Sequence, residues 1–194
     1  MKTLKGEIMK KNYTLIIILA IIFILILSLI GTYNSLVKLD ESVNSAWAQV
    51  EVQLKRRADL IPNIVETVKG YANFEKETLT SVIEARAKAL GAKTVDEKIA
   101  ANNELGQAIS RLLVLVENYP DLKANQNFMA LITELEGTEN RIAVERKRYN
   151  DLVAIYNKKV RSFPTLLIAR IFGFEKKTYF EAGEEAQVAP KVKF

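Results

Sequence analysis

Leu15-Ile-Ile-Ile-Leu-Ala-Ile-Ile-Phe-Ile-Leu-Ile-Leu-Ser-Leu-Ile30 carries no charge and no proline, and its reading decides the architecture. The uncharged stretch extends from Asn12 to Val37. With Tyr13, Thr14, Gly31, Thr32 and Tyr33 the apolar core reaches about 20 residues, enough at about 1.5 Å per residue to cross roughly 30 Å of hydrocarbon. Tyr13 and Tyr33 fall where interfacial aromatic residues sit. The expectation is a basic tail over residues 1–12 and a transmembrane helix over 13–33. A cleavable signal peptide starts in the same way. Here Ser28-Leu29-Ile30-Gly31-Thr32 lacks small residues at the A-x-A spacing, and the run is longer than an ordinary h-region, so retention as an anchor is expected. Lys2, Lys5, Lys10 and Lys11 precede the run, whereas Lys38 is the sole basic residue shortly after it. That bias predicts a cytoplasmic N-terminus with the following domain on the far side of the membrane.

Outward from the anchor, composition narrows the class. Of 194 residues, 49% are apolar and 26% charged, with 8 Gly and 4 Pro, a scarcity of chain breakers that suits long helices. Cys and His are absent, which removes thiolate nucleophiles, the usual zinc sites and imidazole acid/base catalysis. No catalytic residue, cofactor or metal site is therefore expected. The net charge is +5, of which four Lys against one Glu in residues 1–33 supply a large part. Lys55-Arg56-Arg57 and Arg146-Lys147-Arg148 are interrupted by Glu51, Asp59, Glu145 and Asp151, so no basic stripe for nucleic acid forms.

Four amphipathic segments follow, and their period predicts an all-α fold in which the transmembrane helix continues into an antiparallel four-helix bundle over residues 34–163. The first carries Tyr33, Leu36, Val43, Trp47, Val50 and Leu54 on one stripe, with Trp47 a core residue. Asp40 and Arg57 share that stripe, each marking an end layer or a paired polar contact. Asp59 as N-cap with Pro62 in a first turn predicts a chain reversal there. A second helix would then run from Ile61 through Ile64, Val65, Val68, Tyr71, Ala72, Leu79, Val82, Ile83, Ala89 and Leu90 to Gly91, with a weak point at Gly70 and Asn73. Thr94-Val95-Asp96-Glu97 reads as a capping box opening a third helix, with Val95, Ile99, Leu105, Ile109, Leu112, Val116 and Tyr119 on its stripe, ending at Tyr119-Pro120. The fourth repeats Phe128, Leu135, Ile142, Tyr149, Tyr156 and Phe163 at intervals of seven.

In antiparallel order the fourth helix returns toward the membrane. It brings back the apolar stretch Leu166, Leu167, Ile171, Phe172 and Phe174, within a C-terminal segment over residues 164–194. That stretch is too short to span; it caps the bundle, lies in the lipid interface or meets a partner. The tail from Glu181 to Phe194 shows no period.

Several blocks occur in one order: Trp47-Ala-Gln-Val-Glu-Val-Gln-Leu-Lys-Arg-Arg-Ala-Asp-Leu-Ile-Pro62, Glu117-Asn-Tyr-Pro-Asp-Leu-Lys-Ala124, Thr138-Glu-Asn-Arg-Ile142, Arg148-Tyr-Asn150, Tyr156-Asn157, Phe163-Pro164, Phe172-Gly-Phe174 and Pro190-Lys-Val192. In these the chain resembles the LemA family of bacterial membrane proteins over nearly its whole length. The resemblance implies an N-terminal membrane helix and a helical-bundle domain, and it supplies no established catalytic activity. The family's presence in magnetosome membranes hints at membrane organisation.

Residue types and spacing leave two functions in competition. In the first, a non-enzymatic module scaffolds the bacterial cell envelope, contacting lipid through residues 13–33 and an envelope protein or a second copy through its bundle. Arg56, Arg57 and Asp59 at an exposed tip would offer the docking surface, and Asn140, Tyr149, Asn150, Tyr156 and Asn157 would form a polar network setting helix register. In the second, a metal- or ligand-binding sensor or carboxylate-dependent hydrolase gathers Glu134, Glu139, Glu145 and Asp151 at one cavity. Glu139, Arg141, Glu145 and Arg146 have helical spacings that form ordinary ion pairs, worth a few tenths of a kcal/mol each.

Overall fold

A computed structural model describes residues 2–70 and 75–181, with side chains from Leu15 onward. The side chains of Tyr13 and the N-terminal lysines, the positions Tyr71, Ala72 and Asn73, and the tail from residue 182 with its Pro190-Lys-Val192 block lie outside the described residues. The described residues are all-α: α1 (Lys2–Lys69), α2 (Lys76–Gly91), α3 (Val95–Val116), α4 (Pro120–Lys123), α5 (Gln126–Arg161) and α6 (Thr165–Phe172). They divide into two units, Met1–Ser42 with Ala154–Lys177 and Val43–Val153 with Thr178–Phe194.

The larger unit is an antiparallel four-helix bundle. Rising numbers in α1 meet falling numbers in α5, from Trp47 against Tyr149 to Arg56 against Glu134. Lys88 of α2 pairs with Glu104 of α3, and Glu51 and Arg57 of α1 meet Lys98 and Asn102 of α3 in parallel order. Leu60, Ile61, Ile64, Val65 and Val68 of α1 form one core with Leu79 and Val82, Leu105, Ile109, Leu112 and Val116, Leu122, and Phe128, Ile132 and Leu135. Burial of each such side chain stabilises by about 1.5–3 kcal/mol before the entropy of ordering is set against it.

The reversal expected at Asp59-Pro62 does not occur. Pro62 lies inside α1, and Ile61, Ile64, Val65 and Val68 prolong the first stripe instead of opening a second helix. A helical residue at 62 would donate its amide to the carbonyl four positions back, and proline cannot, a loss worth about 3 kcal/mol or more in a helix interior. The orphaned oxygen is that of Ala58, and Arg86 Nε of α2 donates to it at 2.7 Å. A neighbouring helix thus replaces the missing donor, and the break falls after Lys69 at the point expected only to be weak.

Other boundaries follow local chemistry. Thr94 Oγ1 accepts from Glu97 N at 3.2 Å while the Glu97 carboxylate accepts from Thr94 N and Lys93 N, completing the capping box. Those two backbone amides hold the Glu97 carboxyl below its ordinary range. α3 ends at Val116, and Pro120 opens the short α4 where its missing amide is harmless. Asn125 Oδ1 then accepts from Asn127 N at 2.9 Å and Phe128 N at 3.1 Å, seating the start of α5. The seven-residue series of α5 is buried at Phe128, Leu135, Ile142, Tyr149 and Tyr156 but ends there. α5 stops at Arg161, and Phe163 is 80% exposed, outside the stripe to which its spacing assigned it.

In the smaller unit, every side chain from Leu15 to Gly31 is exposed, and burial begins at Leu36. Tyr156 and Val160 of α5 and Thr165, Ile168 and Ala169 of α6 are buried. Gly173, at φ 74°, ends α6 in the left-handed region that a side chain disfavours, and the amides of Gly173 and Phe174 both reach Ala169 O.

Candidate functional site

The polar residues chosen from the sequence resolve into two kinds of structure, a buried charge layer and a set of backbone clamps. Arg57 sits inside the bundle, 4% exposed, where its stripe position in α1 forces the guanidinium among helices. Nη1 donates to Glu139 Oε1 of α5 at 3.0 Å and to Oε2 at 3.3 Å. Nη2 donates to the carbonyl of Asn102 at 2.8 Å and to its Oδ1 at 2.9 Å, and Asn102 Nδ2 in turn donates to Lys98 O at 2.8 Å. One side chain therefore ties α1 to α3 and α5. Desolvating a cation costs several kcal/mol, which these contacts to Glu139 and Asn102 offset in large part. Nε carries no hydrogen bond, so the layer is not fully satisfied.

This corrects the expected exposed tip. Arg57 is mid-helix and internal; Arg56 and Asp59 are exposed beside it, Arg56 pairing with Glu134 at 2.8 Å. A groove of about 800 Å³ runs past the layer, lined by Arg57, Asn102, Gln107, Glu136, Glu139 and Asn140 among others. Arg141 and Asn140 border a smaller one of about 270 Å³ with Gln53 and Glu145. The four carboxylates do not converge on one cavity: Glu134 engages Arg56, Glu139 engages Arg57 and Asp151 engages Lys147, while Glu145 lies on the small groove. Among the described residues no cluster of acidic side chains is arranged to hold a metal ion.

Tyr149, Asn150, Tyr156 and Asn157 take partners the sequence did not suggest. Tyr149, Asn150 and Asn157 hydrogen-bond to the extended segment after α6, while the Tyr149 ring also packs on Trp47 of α1. In the larger unit, Asn150 clamps Phe180 through both main-chain groups: Oδ1 accepts from Phe180 N at 2.8 Å and Nδ2 donates to Phe180 O at 3.0 Å. Tyr149 donates its hydroxyl to Thr178 O at 2.8 Å. The Phe180 ring is buried against Trp47, with centroids 6.2 Å apart, and Arg146 lies over its face at 5.8 Å. In the smaller unit, Asn157 makes the same double bond to Lys177, at 2.9 Å for each contact. Lys177 Nζ pairs with Asp40 at 2.9 Å and stands 5.8 Å from the Tyr156 ring centroid. Asp40, the other charged stripe position of α1, is thus paired like Arg57. Burial, and then the Asp96 charge, pushes Tyr149 up to about 12. Burial, aided by Asp40, does the same for Tyr156. These phenols stay neutral at physiological pH and act as donors. A lone Phe180 in a polar tail was the available signal for this segment, but main-chain recognition by side chains on a helix leaves no periodic trace.

Leu166, Leu167, Ile171, Phe172 and Phe174 lie on or just after α6 in the smaller unit. Leu167, Ile171 and Phe172 are exposed, Leu166 and Phe174 half-buried. Phe172 and Phe174 place their rings 4.8 Å and 5.8 Å from that of Tyr33, which stands just beyond the exposed apolar run of α1.

Comparison with known proteins adds a family. Residues 46–194 match the LemA family. Protein LemA of Metamycoplasma hominis is 27% identical over 161 residues, covering 82% of this chain and 73% of its own. Magnetosome protein MamQ 2 of Paramagnetospirillum magneticum is 24% identical, covering 86% of this chain and 72% of its own. Magnetosome protein MamQ of Magnetospirillum gryphiswaldense, also 24% identical, covers the same shares.

Proposed function

The chain belongs to the LemA family of membrane-associated helical proteins, and on that premise we propose that it is a non-enzymatic scaffold anchored in the bacterial inner membrane. Residues 13–33 cross the bilayer with the N-terminus cytoplasmic, and the bundle engages an envelope protein or a second copy outside. The observation that carries the reading is the continuity of α1, which exposes an apolar side chain at almost every position from Leu15 to Ile30 and then supplies the first wall of the bundle. Fourteen large apolar side chains in that run are exposed, each worth about 1.5–3 kcal/mol on transfer out of water, so lipid is the solvent that suits them. The bundle then has no freedom to leave the bilayer. Membrane association of the LemA and magnetosome relatives supports a place for this chain at a membrane. With the four carboxylates engaged separately, a sensor or hydrolase inside the bundle is the weaker reading.

The chain has no cysteine, so single cysteines at the exposed positions Val114 and Val144 report partners directly. Cross-linking in intact membranes is expected to give discrete adducts; monomer alone at both positions overturns the scaffold. Protease added to spheroplasts is expected to digest the bundle and spare the N-terminal tail, and protection of the bundle reverses the orientation.

A further inference from the structure

α6 has two faces with opposite fates. Thr165, Ile168 and Ala169 point inward and are buried. Leu167 and Ile171, four positions apart on the opposite side, are 52% and 77% exposed, and Phe163 stands exposed just before the helix. A stretch of α6 thus covers its own unit with one side and leaves large apolar groups on the other, which no fold-stabilising role explains.

What covers that outer side follows from its position and charge. The rings of Phe172 and Phe174 rest on Tyr33 within the same unit, and Tyr33 follows the apolar run of α1 by three residues. The helix is therefore held at the depth where the run ends, continuous with the lipid-facing surface of the span. Around it stand Lys158, Lys159, Arg161, Arg170 and Lys176, in a stretch whose one acidic residue is Glu175, while Lys177 is already paired with Asp40. An apolar ridge of Phe, Leu and Ile set among basic residues is the composition of a helix lying in an anionic lipid interface.

We propose that Phe163, Leu167 and Ile171 insert among the headgroups and upper acyl chains of the leaflet at the Tyr33 end of the span, so that α6 is a second, interfacial membrane contact. The proposal rests on the reading of residues 13–33 as a transmembrane helix, and its test separates the two. Single cysteines at Leu167 and Ile171, at Ile22 in the span and at Val144 on the bundle surface are spin-labelled in the full chain. The chain is reconstituted in vesicles of phosphatidylethanolamine and phosphatidylglycerol, and collision with oxygen is compared with collision with a water-soluble nickel chelate. The expected result is an oxygen-to-nickel ratio at 167 and 171 several-fold above that at 144 and below that at 22. A ratio at 167 and 171 equal to that at 144, with Ile22 still shielded from nickel, overturns the interfacial contact alone. Labels at 167 and 171 that are immobile and shielded from both reagents also overturn it, because protein then covers the face. Nickel access at Ile22 overturns the span and the interfacial contact together.

Discussion

The bundle centre and the outer face of α6 break the same rule in opposite directions. Around Arg57 a full charge lies inside, and at Leu167 and Ile171 large apolar side chains lie outside. Each departure is tolerable only if something supplies what water or the core would otherwise supply. For Arg57 the supply is within the chain, as Glu139 and Asn102 replace hydration. For α6 no described residue of its own unit covers the outer face, and our proposal assigns that role to lipid. The difference separates a structural oddity from a functional one: a misfit residue that is satisfied internally holds the fold, whereas one left unsatisfied points outward to a partner.

The largest effect should come from breaking the internal case. Arg57→Ala leaves a cavity and strands the Asn102 acceptors, and it is expected to destabilise the bundle by about 3–4 kcal/mol. Arg57→Met restores much of the packed volume but strands the same Asn102 acceptors, so it should recover only the cavity part of that loss, about 1–2 kcal/mol, and keep the cost of the unmade hydrogen bonds. Denaturation in detergent micelles, followed by the fluorescence of Trp47, the single tryptophan and a core residue, measures both. Two equally unstable variants would mean that the packing of the Arg57 side chain contributes nothing and that its hydrogen bonds alone hold the layer.

A smaller effect tests whether a second internal misfit is satisfied as the geometry implies. Arg86→Ala removes the donor to Ala58 O and should cost about 1–2 kcal/mol. In a Pro62→Ala background the helix supplies its own amide, so the same change should cost a few tenths. The coupling in that double-mutant cycle, about 1 kcal/mol or more, is the quantity to measure. Additive costs would mean that Arg86 merely packs beside Pro62.

Pro62 also marks where the sequence stopped being legible. Asp59 followed by proline is the local grammar of a helix start, and nothing nearby contradicts it. The information that overrides it sits in Arg86, in another helix, and in the stripe Leu54, Ala58, Ile61, Val65 and Val68, which keeps its three- and four-residue steps straight across the proline. The misplaced turn then carried Arg57 to an imagined tip. Signals confined to one element were readable: the Thr94 capping box, the buried series Phe128 to Tyr156, and an N-terminal helix long and apolar enough to cross a membrane. Phe163 kept the interval of seven yet left the core, because its helix ends at Arg161, before the interval does. The clamps of Asn150 and Asn157 were invisible for the opposite reason, since they read main chain and place no demand on the side-chain pattern of the segment they hold.

The smallest expected effect sharpens the contrast from the outer side. Leu167→Ser and Ile171→Ser remove apolar groups that touch little of the fold. The Trp47-reported stability of the bundle should therefore change by no more than about 0.5 kcal/mol, the range of ordinary surface substitutions. Ala at buried Ile168, one position along the same helix, is the internal reference and should cost about 2 kcal/mol or more wherever its own unit is probed. If the two serine variants matched the Ile168 variant in cost, the outer face would belong to the fold after all, and its exposure would carry no message about the membrane. If they are silent in micelles, Leu167 and Ile171 serve something other than folding, and adjacency to Tyr33 makes the lipid interface the first place to look.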